Sequence, residues 1–242
     1  YCQRFHKFNK ALLCQDILGD RRLPLPCINV VRHAPELYRQ TGGATHAISD
    51  EARQAFSLLY SHLSDHDFHC AHAVFSRLSR TIPITQELLD GTSGFTGGTV
   101  FKGMTCSALA AGIMAVGLKI ADIEDSTLRV IRMLATMLVG GNAFDERLNK
   151  FNKIMNMGST MADWFTRTFG STQCRHATRC DFASVGDVRR YIDNGSVATC
   201  GTIADKVALQ VERILEREGV GLQSAVSFGL KIRSSRRPLP SL

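Results

Sequence analysis

Apolar residues recur at helical spacing through most of this 242-residue chain, in segments that glycines and capping residues separate. The clearest case is the segment 199–217, which carries Ile203, Val207, Val211 and Leu215 at intervals of four residues. Residues at this spacing share one face of an α-helix, whereas a half-buried strand would alternate apolar and polar residues. The pattern therefore predicts a mainly α-helical fold.

The same spacing and the capping signals predict the remaining helices. One begins at Ser49–Glu51 and runs through Leu63, and the others are predicted at Phe68–Leu78, Ile84–Leu89, Thr105–Lys119, Asp125–Val139, Phe144–Phe169 (as one or two helices), Val185–Ile192 and Thr199–Arg217. The five glycines between Gly91 and Gly103 predict a loop. The segment Ile28–Val31 is a weak candidate for a strand.

These elements predict a single helical-bundle domain with two appendages. Residues 1–49 are interrupted by Pro24, Pro26 and a pair of glycines, and we predict an irregular N-terminal arm there. Residues 50–220 form the predicted helical domain, and residues 221–242 a basic C-terminal tail.

The net charge of +7 lies at the two ends of the chain. Residues 51–220 carry equal numbers of basic and acidic side chains, and no nucleic-acid motif is present, so we expect no nucleic-acid partner. The longest apolar run, Ala108–Leu118, is shorter than the roughly 20 residues that a bilayer requires, so we expect no membrane span.

Eight cysteines are present, and no two of them form a C-x-x-C pair. This spacing excludes a zinc ribbon, a thioredoxin-type motif and covalent haem attachment. Four cysteines instead fall at predicted helix starts in four separate segments: Cys70, Cys106, Cys174 and Cys200. Backbone N–H groups at a helix start stabilise a thiolate. A small residue at a crowded helix start would explain any one of them, but the four together favour a redox or metal-binding role.

The chain resembles the redox-active family that is named for its C–GCAxxG–C–C cysteine pattern. The matching segments are His69–Val74, Gly94–Gly98, Gly103–Gly112, Phe169–Arg175 and Thr199–Cys200. The resemblance covers the chain from about Phe68 to Leu215. It departs at Ser107, which follows Cys106 where the family often has glycine.

The resemblance implies a helical domain in which Cys70, Cys106, Cys174 and Cys200 are redox-active or bind an iron–sulfur cluster. Split-Soret-type cytochromes are similar in this region, which favours a 2Fe-2S cluster over a 4Fe-4S cluster. We expect no covalent haem of the kind found in these cytochromes, because this chain lacks the C-x-x-C-H attachment motif. We therefore expect an electron carrier rather than a catalyst. A metal-free dithiol–disulfide protein and a structural helical partner subunit are the alternatives.

Four further residues are predicted to lie at the cofactor. Gly97 and Gly98 would let the backbone approach it closely, and Thr105 and Thr199 are the predicted N-caps before two of the cysteines. Cys180 has no counterpart in the family and is either an alternative ligand or a bystander. The other three cysteines, Cys2, Cys14 and Cys27, are interpreted as free or buried thiols.

Histidines form a run at helical spacing: His62, His66, His69 and His72. Such spacing can bind a metal, but a surface cluster is the simpler interpretation. His176 follows Cys174 by two residues and could bond to a cluster or ligate it, although the four matched cysteines already complete a ligand set.

The redox partner is not indicated by the sequence, but a homodimer is. Methionines and aromatic residues of the segments 125–139 and 144–169 would give an adaptable surface, and split-Soret resemblance also suggests a dimer. The same residues could instead line the core. Unpaired cysteines favour a cytoplasmic protein, whereas a processed N-terminus, which the absence of an initial Met suggests, would be consistent with the periplasm.

Overall fold

The computed structural model describes residues 49–120 and 150–219, with isolated residues between 29 and 39 and between 131 and 139. The chain divides into two compact units, one of Tyr1–Ser49 with Thr127–Ala143 and the other of Asp50–Ser126 with Phe144–Leu242. The second unit contains all of the helices that are named below.

Within residues 49–120 and 150–219 the protein is helical, and no strand is formed there. The helices are α1 (Asp50–Asp65), α2 (Cys70–Leu78), α3 (Gln86–Gly91), α4 (Ser107–Ile120), α5 (Lys150–Phe169), α6 (Cys174–Thr178), α7 (Val185–Asp193) and α8 (Ser196–Arg217). An isolated antiparallel bridge joins Thr105 to Gln173. The predicted mainly α-helical class is confirmed.

Helices α1 to α4 and α7 lie within two residues of their predicted positions, and α5 ends at Phe169 as predicted. Helix α8 begins at Ser196, three residues before the predicted start, because Gly195 takes a left-handed conformation (φ 76°) and serves as the N-cap. The predicted helix 125–139 and the start of the segment 144–169 lie largely outside the described residues.

The strand predicted at 28–31 is wrong. Asn29 and Val30 are helical, as are the five residues from Arg32 to Glu36. An apolar run of this length fits a strand and a buried helical turn equally well, so its pattern could not separate the two.

The main core lies where α2, α4, α5 and α8 pack together. Phe75 of α2, Leu109 of α4 and Phe165 of α5 are buried there with Val207 of α8. Helix α4 approaches α8 closely at Gly112, where an added Cβ would lie 2.6 Å from a methyl of Val207. The apolar helix predicted around residues 105–119 is therefore central, as its composition indicated.

A second, smaller core lies between α1 and α7. Leu59 and Leu63 of α1 pack there with Phe182 and with Val188 of α7. Ser184 caps α7, because its hydroxyl accepts a hydrogen bond from the backbone N–H of Asp187. The cysteines divide between the cores: Cys106 belongs to the first and Cys174 to the second.

None of the described helices combines the length and apolar composition that crossing a bilayer requires.

Candidate functional site

The four cysteines that the sequence singled out meet in two pairs. The thiol of Cys70 is hydrogen-bonded to that of Cys200, and the thiol of Cys106 to that of Cys174. The two pairs interact electrostatically, because negative charge on Cys70 or Cys200 raises the pKa of Cys174. All four are free thiols, three of them buried and Cys200 partly buried.

Cys106 occupies the N-cap position of α4, directly before Ser107. Its sulfur accepts hydrogen bonds from the backbone N–H groups of Ala108 and Leu109, as a capping oxygen would at another helix. The predicted N-cap, Thr105, is one residue too early. Thr105 instead is exposed and forms the bridge to Gln173.

The bridge ties the Cys106 pair together through the backbone. The N–H of Cys106 donates to the carbonyl of Thr172 at 2.8 Å, and the N–H of Cys174 donates to the carbonyl of Met104 at 2.6 Å. Arg175 extends this connection, since its side chain donates to the carbonyls of Gly103 (3.3 Å) and Lys102 (3.1 Å). The partner of Cys106 is thus held by the loop that precedes Cys106.

Cys70 is the first residue of α2, and His69 is its N-cap. The Nδ1 of His69 accepts from the N–H of His72, while its Nε2 donates to the carbonyl of Ser93 at 3.0 Å. The sulfur of Cys70 accepts a hydrogen bond from the backbone N–H of Gly97. The glycine loop therefore contacts the site directly.

The glycine loop runs in a left-handed conformation from Gly97 to Phe101, with φ between 45° and 69° at all five residues. Two hydrogen bonds of 3.0 Å close it, from Gly103 to Gly97 and from Met104 to Gly98. A Cβ added to Gly98 would lie 2.6 Å from the Cβ of Cys174. Only glycine fits at Gly98. That Gly97 and Gly98 lie at a cofactor stays a prediction.

Cys200 lies in the second turn of α8 and not at its start, because the helix begins at Ser196. Thr199 is correspondingly an exposed helical residue whose N–H donates to Gly195, so its predicted N-cap role is wrong. Tyr191 supplies a different hydrogen-bond donor. Its hydroxyl lies 2.7 Å from the sulfur of Cys200. No sequence pattern points to this residue, which comes from α7 and is no part of the matching segments.

The hydrogen bonds give the members of each pair opposite properties. The thiol of Cys174 donates to Cys106 and, with backbone N–H groups, lowers the pKa of Cys106 to about 7 against the effect of burial. The Cys70 thiol and then the Tyr191 hydroxyl lower the pKa of Cys200. Donation to their partners and burial raise the pKa of Cys70 and of Cys174 well above the usual value. Each pair thus combines a proton donor with a stabilised thiolate.

A family model described as "Putative redox-active protein (C_GCAxxG_C_C)" matches residues 68–214, more than half of the chain. The chain belongs to this C–GCAxxG–C–C family. No curated protein and no solved structure matches it. The family's redox description agrees with a site of four free thiols, two of which have a lowered pKa.

The remaining cysteine of the described residues, Cys180, lies beside the site in the smaller core. Burial and the carboxylates of Asp187 and Asp181 raise the pKa of Cys180 to about 12. The charge of Cys200 acts on its thiol, but within the described part of the chain no hydrogen bond joins Cys180 to either pair. Cys2, Cys14 and Cys27 lie outside the described residues.

The histidine run has two different surroundings. His69 and His72 direct their Nε2 atoms at the carbonyls of Ser93 and Leu89, so they tie α2 to the end of α3 and the loop after it. His62 lies in the last turn of α1 and His66 directly follows the helix, with the two rings 4.4 Å apart. His176 is exposed on α6.

An iron–sulfur cluster is held by cysteine thiolates at each of its irons. Among the described residues, no group of three or more His, Cys, Asp or Glu surrounds a point where one metal ion could bind. A two-iron cluster requires two ligands on each iron, and the thiols meet two by two. The buried hydroxyl of Ser107, next to Cys106, has no hydrogen-bond partner among the described residues. Paired thiols, N–H donors and an unused hydroxyl fit a cluster of this kind.

Proposed function

We propose that this protein transfers electrons through an iron–sulfur cluster that Cys70, Cys106, Cys174 and Cys200 hold. The observation that supports the proposal is the meeting of four free thiols, from four separate segments, as two buried pairs. Such a cluster, when bound, accepts and releases one electron at a time. We favour the 2Fe-2S form, with Cys70 and Cys200 on one iron and Cys106 and Cys174 on the other.

The chain's own groups would bind and insulate the cluster. N–H groups of Gly97, Ala108 and Leu109 already point at cysteine sulfurs and would stabilise added negative charge there. Gly98 leaves no side chain between the loop and Cys174, so the backbone can close over the site. Burial of three of the four cysteines restricts water, which favours electron transfer without proton uptake.

The pairing also supports a second function, that of a metal-free dithiol–disulfide protein. Oxidation of a pair would join its two sulfurs and release two electrons and two protons to an oxidant such as another disulfide. A depressed pKa on one member and a raised pKa on the other suit this chemistry, since the thiolate attacks and its partner supplies the proton.

Iron and acid-labile sulfide analysis of the full chain, purified without oxygen, tests the two functions against each other. A cluster predicts a coloured protein with iron and sulfide in equal amounts. A colourless protein that titrates as pairs of thiols at two electrons each would contradict the cluster and support the second function. Inert thiols with no iron would contradict both and leave a structural helical subunit.

We also propose a homodimer and a cytoplasmic location. The exposed Met155 of α5 supports the first, and the five free thiols of the described residues support the second.

A further inference from the structure

Tyr191 makes a direct contact with one sulfur of the site. Its hydroxyl oxygen lies 2.7 Å from the sulfur of Cys200 and 3.4 Å from the carbonyl oxygen of Ser196. A phenol has one proton to donate. At 3.4 Å the bond to the carbonyl is long, so the proton is directed to the sulfur.

Tyr191 is the donor in this bond whenever the sulfur of Cys200 carries no proton. A sulfur that is bound to iron or joined in a disulfide can only accept a hydrogen bond. The phenol has a proton to give, and its oxygen lies at hydrogen-bond distance from that sulfur.

The aromatic ring of Tyr191 is fixed by packing. The side chain is buried on α7, and the ring meets Phe182 edge to face with centroids 6.1 Å apart. A hydroxyl on a fixed ring keeps its position when the charge on sulfur changes, so it can act in both oxidation states.

We infer that Tyr191 is a positioning residue that raises the redox potential of the Cys70–Cys200 side of the site by donating its hydroxyl proton to Cys200. The inference rests on the proposed redox function but not on the choice between a cluster and a dithiol pair. In either case the reduced form places more negative charge on sulfur, and a donor to that sulfur stabilises it.

The contrast with the second pair makes the inference specific. Cys106 accepts from backbone N–H groups of α4, which no substitution removes without disturbing the helix. Cys200 instead accepts a hydrogen bond from a side chain of another helix, the hydroxyl of Tyr191 on α7. A single substitution at Tyr191 thus changes one pair and leaves the donors of the other in place.

The test compares Tyr191→Phe with wild type, with Tyr60→Phe as the matched control on an exposed tyrosine of α1. In the cluster-loaded full chain, we expect Tyr191→Phe to keep its iron and to have a lower midpoint potential than wild type. Tyr60→Phe should have the wild-type potential. An unchanged potential in Tyr191→Phe would overturn the inference.

A wild type without iron would refute the cluster and leave the inference testable. The potential of each thiol pair is then measured in dithiothreitol redox buffers, with disulfides assigned by mass spectrometry. We expect Tyr191→Phe to lower the potential of the Cys70–Cys200 pair and to leave that of the Cys106–Cys174 pair unchanged. Equal shifts in both pairs, or no shift, would overturn the inference.

A second variant serves if Tyr191→Phe does not fold. The chain has four tyrosines, so Phe at positions 1, 38 and 60 leaves Tyr191 alone for replacement by 3-fluorotyrosine. Fluorination makes the phenol a stronger donor and should raise the same potential. A potential that equals that of the unfluorinated triple variant would contradict the role of Tyr191.

Discussion

Ser107 is a buried residue directly beside the site. Its hydroxyl has no hydrogen-bond partner among the described residues, and it follows a cysteine whose sulfur accepts from the next two backbone N–H groups. A buried hydroxyl without a partner costs about 1–3 kcal/mol.

We expect Ser107→Ala to stabilise the metal-free protein by about 1 kcal/mol, because it removes the unpaired hydroxyl. If the hydroxyl donates to a bound cluster, the same variant should lower the midpoint potential of the loaded protein. Urea unfolding measures the first effect and anaerobic redox titration the second. Destabilisation of the metal-free protein would show that the hydroxyl already has a partner.

The ligand assignment leads to a prediction for individual cysteines. Cys106→Ser or Cys200→Ser should abolish or greatly weaken cluster binding, because each leaves one sulfur of a pair alone. Cys2→Ser, Cys14→Ser and Cys27→Ser are the controls and should retain full iron content. Iron analysis after anaerobic reconstitution measures the difference. Loss of the cluster in Cys180→Ser would assign a ligand role to Cys180 instead of Cys174.

Cys180 gives the metal-free protein a predicted pH dependence. Its pKa is raised to about 12 in the folded state, whereas a cysteine in an unfolded chain titrates near about 8.5. The folded state holds this proton more tightly. The contribution of Cys180 to stability is therefore complete below about pH 8.5 and is lost as the pH rises towards about 12.

We expect the unfolding free energy of wild type to fall faster than that of Cys180→Ser as the pH rises above about 8.5. Urea titrations across this range, with the other cysteines unchanged in both proteins, isolate the effect. Parallel pH profiles would mean that Cys180 titrates normally in the folded state.

At the scale of elements, the sequence predicted the helices well and the residues at their ends less well. The apolar residues of α4 and α8 were sufficient to predict that these two helices form, because burial of apolar side chains stabilises them. Thr105 and Thr199 resemble N-caps. In the structure, however, the sulfur of Cys106 caps α4, and Gly195 is the N-cap of α8. The capping preferences of single residues do not include tertiary contacts, and such contacts move a helix start by one to three residues.

The site, like the helices, could be predicted from the sequence only in part. The four cysteines and the two glycines follow from the sequence pattern, and the structure brings them together. The pairing of Cys70 with Cys200 does not follow, since it depends on how α2 packs against α8. Nor does the contact of Tyr191, because it depends on how α7 and the turn after it place this side chain against α8.

The left-handed loop is the element most sensitive to substitution. Gly98→Ala places a methyl within 2.6 Å of Cys174 and of the backbone N–H of Met104, at φ +69°. Left-handed strain alone costs about 1–2 kcal/mol. We expect a larger loss of stability and weaker cluster binding, measured by urea unfolding and iron content.

Gly170→Ala is the matched control for this loop. Gly170 also has a positive φ, +83°, but an added Cβ there meets no atom within 4 Å. This variant should lose only the strain term and should bind a cluster normally. Equal losses in the two variants would mean that the contact with Cys174 is unimportant.

At the scale of the whole molecule, the methionines of α5 differ in their exposure. Met161 was predicted to contribute to an interface, but it is fully buried in the main core, so that part of the prediction is wrong. Met155, on the same helix, is 45% exposed. Met133 lies outside the described residues. The dimer hypothesis therefore depends on the exposed face of α5.

We expect the wild-type protein to have the mass of a dimer in light scattering after size exclusion. Met155→Glu should reduce it to the monomer mass of 26.6 kDa and leave any cluster spectrum unchanged. Leu209→Glu is the control, since Leu209 is 53% exposed on α8. A wild type of monomer mass at micromolar concentration would refute the dimer.

The contact between Cys70 and Cys200 has a consequence for biosynthesis. Cys70 leaves the ribosome before most of the described helices have been synthesised. Cys200 belongs to α8, the last of the described helices. A nascent chain that has reached only α7 lacks one member of its first pair. Maturation of the site must therefore wait until translation has passed α8, and prematurely terminated chains would carry a permanently incomplete set of thiols.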